Sequence, residues 1–155
     1  MGRGVDEMKT DITVAGYIIN EGKVLLIHHK KLKKWLPVGG HVEKDEIPDD
    51  AILREIKEET GMKAEIVKNN TLSNDGNVKR NTAIPFHTNV HLAGDHDHYC
   101  LFYLCKTKDS NNLKINKELE DFGWFSKDEL NEERVPMDVR NIALKAFELY
   151  ESQAD

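Results

Sequence analysis

Hydrophobic and polar residues alternate with two different periods along the chain, and these periods predict its strands and helices. Thr10 to Asn20 and Lys23 to Lys30 are β-branched and aliphatic runs joined at Glu21-Gly22. They predict a β-hairpin, because a glycine turn between two such runs is typical of that motif. A third run covers Trp35 to Val38 and ends at Gly39-Gly40. We expect a functional loop to start there, because glycine adopts backbone conformations closed to other residues.

Two stretches have helical periodicity. Ile47 to Thr60 opens with proline and acidic residues and is followed by Gly61, which are start and stop signals of a helix. Pro136 to Glu151 carries apolar residues at helical spacing and predicts an amphipathic closing helix. Asn69 to Thr82 is predicted to be a long mobile loop. Further strands are predicted at Ala64 to Lys68, within Ile84 to Leu92, at His98 to Thr107 and at Phe122 to Phe125. These elements favour an α/β or α+β domain with helices packed on a mixed sheet.

Composition and charge narrow the class of protein. A chain of 155 residues suits one compact domain, so we treat residues 1–155 as a single domain. The net charge of -6 argues against duplex nucleic acid as a partner, because no general basic field is available to hold phosphates. No apolar run reaches membrane-spanning length, and the first eleven residues lack the apolar core of a signal peptide. We therefore expect a cytoplasmic protein that does not bind membranes.

The two cysteines, Cys100 and Cys105, fall in one predicted strand at an odd separation. Side chains at odd separation in a strand point to opposite faces of the sheet. We therefore expect no disulfide between them and interpret both as reduced packing residues.

A cluster of carboxylates lies on the first predicted helix. At about 100° per residue, three glutamates share roughly a third of the helix circumference: Glu55, Glu58 and Glu59. The common interpretation of such a helix is a solvated acidic face. However, the helical wheel directs Arg54 and Lys57 elsewhere, and clustered carboxylates need a cation to offset their repulsion. The cluster therefore predicts an all-oxygen site for Mg²⁺ or Mn²⁺, to which a carbonyl of the Gly39-Gly40 turn can be added.

The spacing around this helix resembles a known family motif. Gly40, five residues, Glu46, seven residues and then Arg54 to Met62, REIKEETGM, together resemble a complete Nudix (MutT-like) box. The resemblance implies the Nudix fold, an α+β architecture with a mixed β-sheet sandwiched between helices. It also implies a pyrophosphohydrolase that uses Mg²⁺ or Mn²⁺. Its substrate would be a small molecule, a nucleoside diphosphate linked to another moiety or a different diphosphate.

The resemblance also implies individual roles in the box. Glu58 and Glu59 would bind the divalent metal directly, together with the carbonyl of Gly39. Glu55 would complete the site as a further ligand or as the base that deprotonates water. Because family members differ in which glutamate is the base, that role falls on Glu55 or Glu58.

Two further box residues would have supporting roles. Arg54 would hold the glutamates in place by an ion pair, and Glu46 would brace the loop. Because every box glutamate is present, an enzyme is favoured over the alternative of a Nudix-fold nucleotide or metabolite sensor without turnover. The related isopentenyl-diphosphate isomerases need a cysteine near the position of Gly39, and this chain has none there.

The lead-in to the box and a later histidine-rich segment provide further candidates. Trp35 to Glu43 reads WLPVGGHVE, which resembles a Nudix branch that also carries a histidine-rich strand. That strand here contains four histidines: His87, His91, His96 and His98. His96 and His98 share one face if the segment is extended. Zinc binding is one hypothesis, but contact with substrate or solvent is favoured, because no cysteine is suitably paired and the geometry depends on a Gly-Asp turn.

The candidate substrate-binding residues lie outside the carboxylate cluster: His41, Trp35, His98 and Glu120. Trp35 can stack on a base, although aromatic residues in strands are more often part of the core. Glu120 lies in an acidic segment where related enzymes often keep another acid, and a solvated turn is the equal alternative. The lysine-rich run His28 to Lys34 either attracts phosphates or is a solvated loop. A homodimer is expected only because dimers are the commonest oligomers.

Overall fold

The computed structural model describes residues 9–153, and its eight strands belong to one mixed sheet. The strands are β1 Thr10–Asn20, β2 Lys23–His29, β3 Trp35–Leu36, β4 Val38–His41, β5 Glu65–Ile66, β6 His87–Ala93, β7 His96–Lys106 and β8 Leu119–Phe125. The two α-helices are α1 Pro48–Thr60 and α2 Met137–Ser152, and short 3-10 turns cover Ser110–Asn112 and Glu129–Asn131. The predicted absence of a signal peptide concerns mainly residues 1–8, which lie outside the described residues.

Strand β1 is the centre of the sheet. It pairs in parallel with β7 along one side, from Thr10 to Ile19. On its other side it pairs antiparallel with β4 and then with β2, which confirms the predicted hairpin. The overall order is β3-β2-β1-β7-β5, with β6 added to β7 and β8 added to β2. As a result, the end of β4 and the start of β7 both lie beside the start of β1.

The side chains of β1 alternate between two hydrophobic cores. One core contains Tyr17 and residues of α2, and the other contains Ile18 and residues of α1. The two helices therefore cover opposite faces of the sheet, which confirms the predicted α+β sandwich. Burying each large aliphatic or aromatic side chain of these cores contributes about 2 kcal/mol. Cys100 lies in the first core and Cys105 in the second, both as free thiols, which confirms their predicted opposite orientation.

The Gly39-Gly40 pair is part of strand β4, so the prediction that a loop starts there is wrong. Neither glycine has a positive φ. Both positions require glycine because neighbouring atoms leave no space for a Cβ. A Cβ on Gly39 would lie 2.2 Å from the carbonyl oxygen of Val14, and a Cβ on Gly40 would lie 2.5 Å from the carboxyl carbon of Glu55. The loop begins only after His41, and the glycines let β1 and the carboxylate helix come close to β4.

The ends of α1 follow the sequence signals. Pro48 occupies its first turn, and Gly61 ends it in the left-handed region with φ 72. The strand predicted at residues 64–68 contains only Glu65–Ile66, and the other strand ends differ from prediction by a few residues. The stretch Asn69 to Thr82 contains no helix or strand, so the predicted long loop is confirmed, while its mobility stays a prediction. Among the described residues, neither helix is both long and apolar enough to cross a membrane.

Candidate active site

The three glutamates of α1 differ in their exposure to solvent. Glu59 is 5% exposed, the side chain of Glu55 is 15% exposed and that of Glu58 is 56% exposed. The three carboxylates thus range from buried to exposed, and they lie beside the α1 core.

Glu59 is a buried carboxylate beside strand β4. Its Oε1 accepts a hydrogen bond from the backbone amide of Gly39 at 3.1 Å. Burial raises the pKa of Glu59 from its ordinary 4.5 to about 8; the Gly39 amide opposes this shift, and the negative charges of Glu55, Glu118 and Glu58 add to it. A cation beside this carboxylate would remove most of that penalty, because it favours the ionised form.

Glu55 lies next to Gly40, and its exposure to solvent is intermediate between those of Glu59 and Glu58. Burial raises its pKa, and the charges of Glu58 and Glu118 act in the same direction. The guanidinium of Arg54 opposes this effect, since its Nη1 donates to Oε1 of Glu55 at 2.8 Å. Glu55 is therefore a carboxylate with raised basicity, held in a fixed orientation by its neighbour.

Arg54 contacts the carboxylates directly, so the prediction from the helical wheel that it points elsewhere is wrong. Its Nη1 donates to Glu58 Oε2 at 3.2 Å as well as to Glu55. Its Nε and Nη2 donate to both oxygens of Glu46 at 2.8 and 3.0 Å, and Nη2 also donates to the carbonyl of His41 at 3.0 Å. The wheel gives the direction of Cβ only, and a long side chain can turn back along the helix.

The ion pair between Arg54 and Glu46 is charge-assisted and bidentate, the stronger kind of hydrogen bonding. It lowers the pKa of Glu46 to about 2 and raises the pKa of Arg54. Glu46 Oε1 also accepts from the amide of Glu43 at 3.0 Å. These contacts connect the loop between β4 and α1 to Arg54, whose role in the site stays a prediction.

A cavity of about 480 Å³ lies beside this cluster. Its lining includes Glu55, Glu59, Gly39 and Gly40. Further lining comes from strands of the sheet and from the start of α2, and it includes the polar groups His41, His91, His98 and Asp138 and the aromatic rings Tyr17 and Phe102. Polar groups that converge on a partly apolar cavity are typical of a small-molecule site.

Two of the predicted substrate-binding residues, His41 and His98, line this cavity, and two do not. Trp35 is 8% exposed and belongs to the core, with its ring centroid 5.3 Å from that of Phe125. Its strand turns this ring to the α2 core, the outcome that is usual for strand aromatics.

In the acidic segment before Trp124, Glu118 lines the cavity and Glu120 does not. Glu120 instead forms ion pairs with His28 at 2.9 Å and Lys33 at 3.5 Å. The acidic segment was recognised in the sequence, but a bulge at His28/His29 in the pairing of β2 with β8 alters the face that each residue takes. From the lysine-rich run, His29 and Lys34 line the cavity, and their attraction for phosphates stays a prediction.

A second cluster of metal-ligating side chains includes His41 and His98, which also line this cavity. One oxygen or nitrogen from each of its members falls within 4.8 Å of all the others: Asp11, His41, His96 and His98. Sequence analysis identified the three histidines separately but missed Asp11, whose only signal is a polar position at the start of an apolar strand. His87 is not part of this cluster.

The box glutamates do not converge this closely among the described residues. Glu55 and Glu58 turn to Arg54, and Glu59 turns to the Gly39 amide. Their donor set nevertheless fits a hard divalent cation, because it is all oxygen and burial raises the pKa of its most buried member, Glu59, a cost that a bound cation would offset. The carbonyl of Gly39 stays a predicted ligand.

Comparisons with known proteins agree with the fold and with the box. A sequence model of the NUDIX domain matches residues 9–146. The crystal structure of a NUDIX-family hydrolase from Clostridium perfringens has 31% sequence identity and a TM-score of 0.78, covering 90% of this chain and 97% of that chain. A MutT NUDIX hydrolase from Burkholderia pseudomallei shares the fold at 22% identity and a TM-score of 0.67, covering 89% of this chain and 98% of the other.

A curated relative, a MutT-like protein from Streptomyces ambofaciens, is 38% identical over 56 residues, which are 36% of this chain and 36% of that protein. The match thus spans about a third of the relative's length. Fold, box and domain match together show that the chain belongs to the Nudix family. The two solved relatives named above, from Clostridium perfringens and Burkholderia pseudomallei, are described as NUDIX hydrolases.

Proposed function

We propose that this protein catalyses metal-dependent hydrolysis of a diphosphate bond in a nucleoside diphosphate linked to another moiety. The observation that carries the proposal is the row of Glu55, Glu58 and Glu59, of which the partly buried Glu55 and the buried Glu59 line the 480 Å³ cavity. Mg²⁺ or Mn²⁺ would be held by these glutamates and by the carbonyl of Gly39. The bound metal supplies charge neutralisation for the phosphates and lowers the pKa of water.

The protein's own groups would orient the attacking water. Glu55 or Glu58 is the proposed base, and the guanidinium of Arg54 contacts both carboxylates. Arg54 is a positioning residue, since one nitrogen, Nη1, donates to both candidate bases. Water attack at phosphorus would yield two phosphate-bearing products, or a monophosphate and pyrophosphate.

The substrate would extend from the carboxylates across the cavity. His41 and His98 also line the cavity, and Lys34 lies in its wall as a positive group for phosphate oxygens. The volume of about 480 Å³ is in the usual range for small-molecule sites. A single-domain chain, a cytoplasmic location and a homodimer stay predictions that these contacts do not address.

The test is phosphate release from a panel of nucleoside triphosphates, nucleotide sugars and dinucleoside polyphosphates, with Mg²⁺ or Mn²⁺. Glu58→Gln should reduce kcat by about 10² to 10⁴-fold on the substrate that is turned over. The matched control is Glu133→Gln, an exposed glutamate of the segment before α2, which should keep full activity. Absence of turnover on every substrate, with metal-dependent binding of one, would support the alternative of a ligand sensor.

A further inference from the structure

The cluster of Asp11, His41, His96 and His98 is fixed by strand pairing. Asp11 of β1 pairs with His98 of β7, and His41 of β4 pairs with Thr13, which lies two residues after Asp11 on β1. Residues two apart in a strand share a face, which places His96 beside His98. Three neighbouring strands therefore direct four metal-ligating groups to one face of the sheet.

Three distances within the cluster match those between the ligands of a tetrahedral metal ion, and all four ligand atoms lie within 4.8 Å of one another. His96 Nε2 lies 3.1 Å from His98 Nε2 and 3.4 Å from Asp11 Oδ2. His41 Nε2 lies 3.2 Å from the same aspartate oxygen. Zinc binds nitrogen and oxygen at about 2.0–2.1 Å, and a tetrahedron with such bonds separates its ligand atoms by about 3.3 Å. The three pairs of ligand atoms named above already have about this spacing.

The hydrogen bonds of His96 orient a lone pair to the centre of the cluster. Its Nδ1 lies 2.9 Å from Oδ1 of Asp95. An ionised carboxylate only accepts hydrogen bonds, so in the neutral ring Nδ1 carries the hydrogen and Nε2 carries the lone pair. That lone pair lies between Nε2 of His98 and Oδ2 of Asp11, and the Asp11 oxygen is also an acceptor. A cation between the two would bind both, and a carboxylate on the outer nitrogen is the usual support of a metal-bound histidine.

We propose that Asp11, His41, His96 and His98 form a second metal site, which takes Zn²⁺ or a similar transition-metal ion rather than Mg²⁺. Three imidazoles and one carboxylate suit zinc, copper, nickel or iron, whereas magnesium prefers oxygen ligands. The other oxygen of Asp11, Oδ1, lies 3.5 Å from Lys9 Nζ, so Oδ2 is the one that faces the histidines. Four protein ligands fill a tetrahedral ion, which is typical of a structural site.

The position of His41 connects this site to the box. Its side chain belongs to the histidine cluster, and its backbone carbonyl accepts a hydrogen bond from Arg54 Nη2 at 3.0 Å. A metal bound to the ring of His41 would hold the end of β4 in the position that Arg54 needs. The proposed site thus has a positioning role, and its existence does not depend on the proposed hydrolysis.

The experiment is a calorimetric titration of untagged, chelator-stripped protein with Zn²⁺, together with visible spectra after Co²⁺ addition. The natural protein should bind one Zn²⁺ tightly and give the intense visible bands of tetrahedral Co²⁺. His96→Asn and His98→Asn should each weaken this binding by more than about 100-fold and abolish the bands. Two variants should retain both signals: His87→Asn, which removes an exposed histidine outside the cluster, and Glu59→Gln, which alters the box instead.

The proposal is overturned if His96→Asn and His98→Asn bind Zn²⁺ as tightly as the natural protein does. It is also overturned if Glu59→Gln alone removes the binding, since zinc would then occupy the box. Circular dichroism in chelator shows whether each variant is folded. If a histidine variant is unfolded, Co²⁺ spectra of the folded natural protein decide alone, and weak octahedral bands would reject the site.

Discussion

Replacing Glu59 by glutamine should stabilise the metal-free protein at neutral pH. The carboxylate is 5% exposed, and burial raises its pKa from 4.5 to about 8. Glutamine has the same shape and keeps an oxygen that accepts from the Gly39 amide, now observed at 3.1 Å. It is neutral without binding a proton, so the change removes the pH-dependent cost of keeping this buried group neutral and retains the hydrogen bond.

The sign and size of the effect follow from proton binding. Between pH 4.5 and about 8 the native carboxyl holds its proton while the unfolded one has lost it. The free energy of unfolding of the natural protein therefore falls by about 1.4 kcal/mol per pH unit across this window. Glu59→Gln does not lose stability in this way. Its free energy of unfolding should exceed that of the natural protein by roughly 3 kcal/mol at pH 7 and by roughly 5 kcal/mol above pH 8, with little difference near pH 4.5.

Urea denaturation in the presence of a chelator measures this difference, with tryptophan fluorescence followed at several pH values from 5 to 9. The control is the exposed Glu133→Gln, which should follow the natural protein at every pH. Adding Mg²⁺ or Mn²⁺ should raise the stability of the natural protein and leave Glu59→Gln nearly unchanged, because only the former gains a ligand. A stability difference that is constant between pH 5 and 9 would refute the reasoning.

Three further predictions concern the two clusters. Gly40→Ala should lower kcat by at least about tenfold and destabilise the protein by about 1–3 kcal/mol, measured by steady-state assay and urea denaturation, because its Cβ would lie 2.5 Å from the Glu55 carboxyl. Arg54→Lys should reduce kcat more than it changes KM, since a single ammonium cannot replace the contacts to Glu46 and both candidate bases; equal activity would contradict this. Asp95→Ala should weaken Zn²⁺ binding about tenfold in calorimetry, because it removes the partner of His96 Nδ1, and unchanged affinity would count against the role of Asp95.

The parts of the structure that depend on neighbouring residues in the chain were predictable. The hairpin, the limits of α1 and the opposite faces of Cys100 and Cys105 follow from turn residues and from strand or helix period. The helical period also placed Glu55, Glu58 and Glu59 in one arc of α1, whereas their roles come from the family resemblance alone. Each of these features is decided within about twenty residues, where periodicity is a direct physical signal.

The features that sequence analysis missed depend on contacts between distant segments. Asp11 meets His98 only because β1 and β7 pair in parallel across more than eighty residues, and no local pattern indicates that register. The glycines of β4 were attributed to turn freedom, although the reason is the close approach of β1 and α1. The wheel placed Arg54 away from the glutamates because it ignores the length of the side chain.

The two clusters differ in their ligand chemistry. Because of this difference, each can bind a different metal ion although both lie beside one cavity. The box presents oxygen atoms, which suit Mg²⁺ or Mn²⁺, whereas the histidine cluster presents three nitrogens, which Mg²⁺ binds poorly. Millimolar Mg²⁺ should therefore leave the proposed zinc site available. His41 is the residue at which both sites meet, through its ring on one side and its carbonyl on the other. Loss of zinc would then act on hydrolysis only through the position of Arg54, lowering kcat without removing the metal ligands of the box.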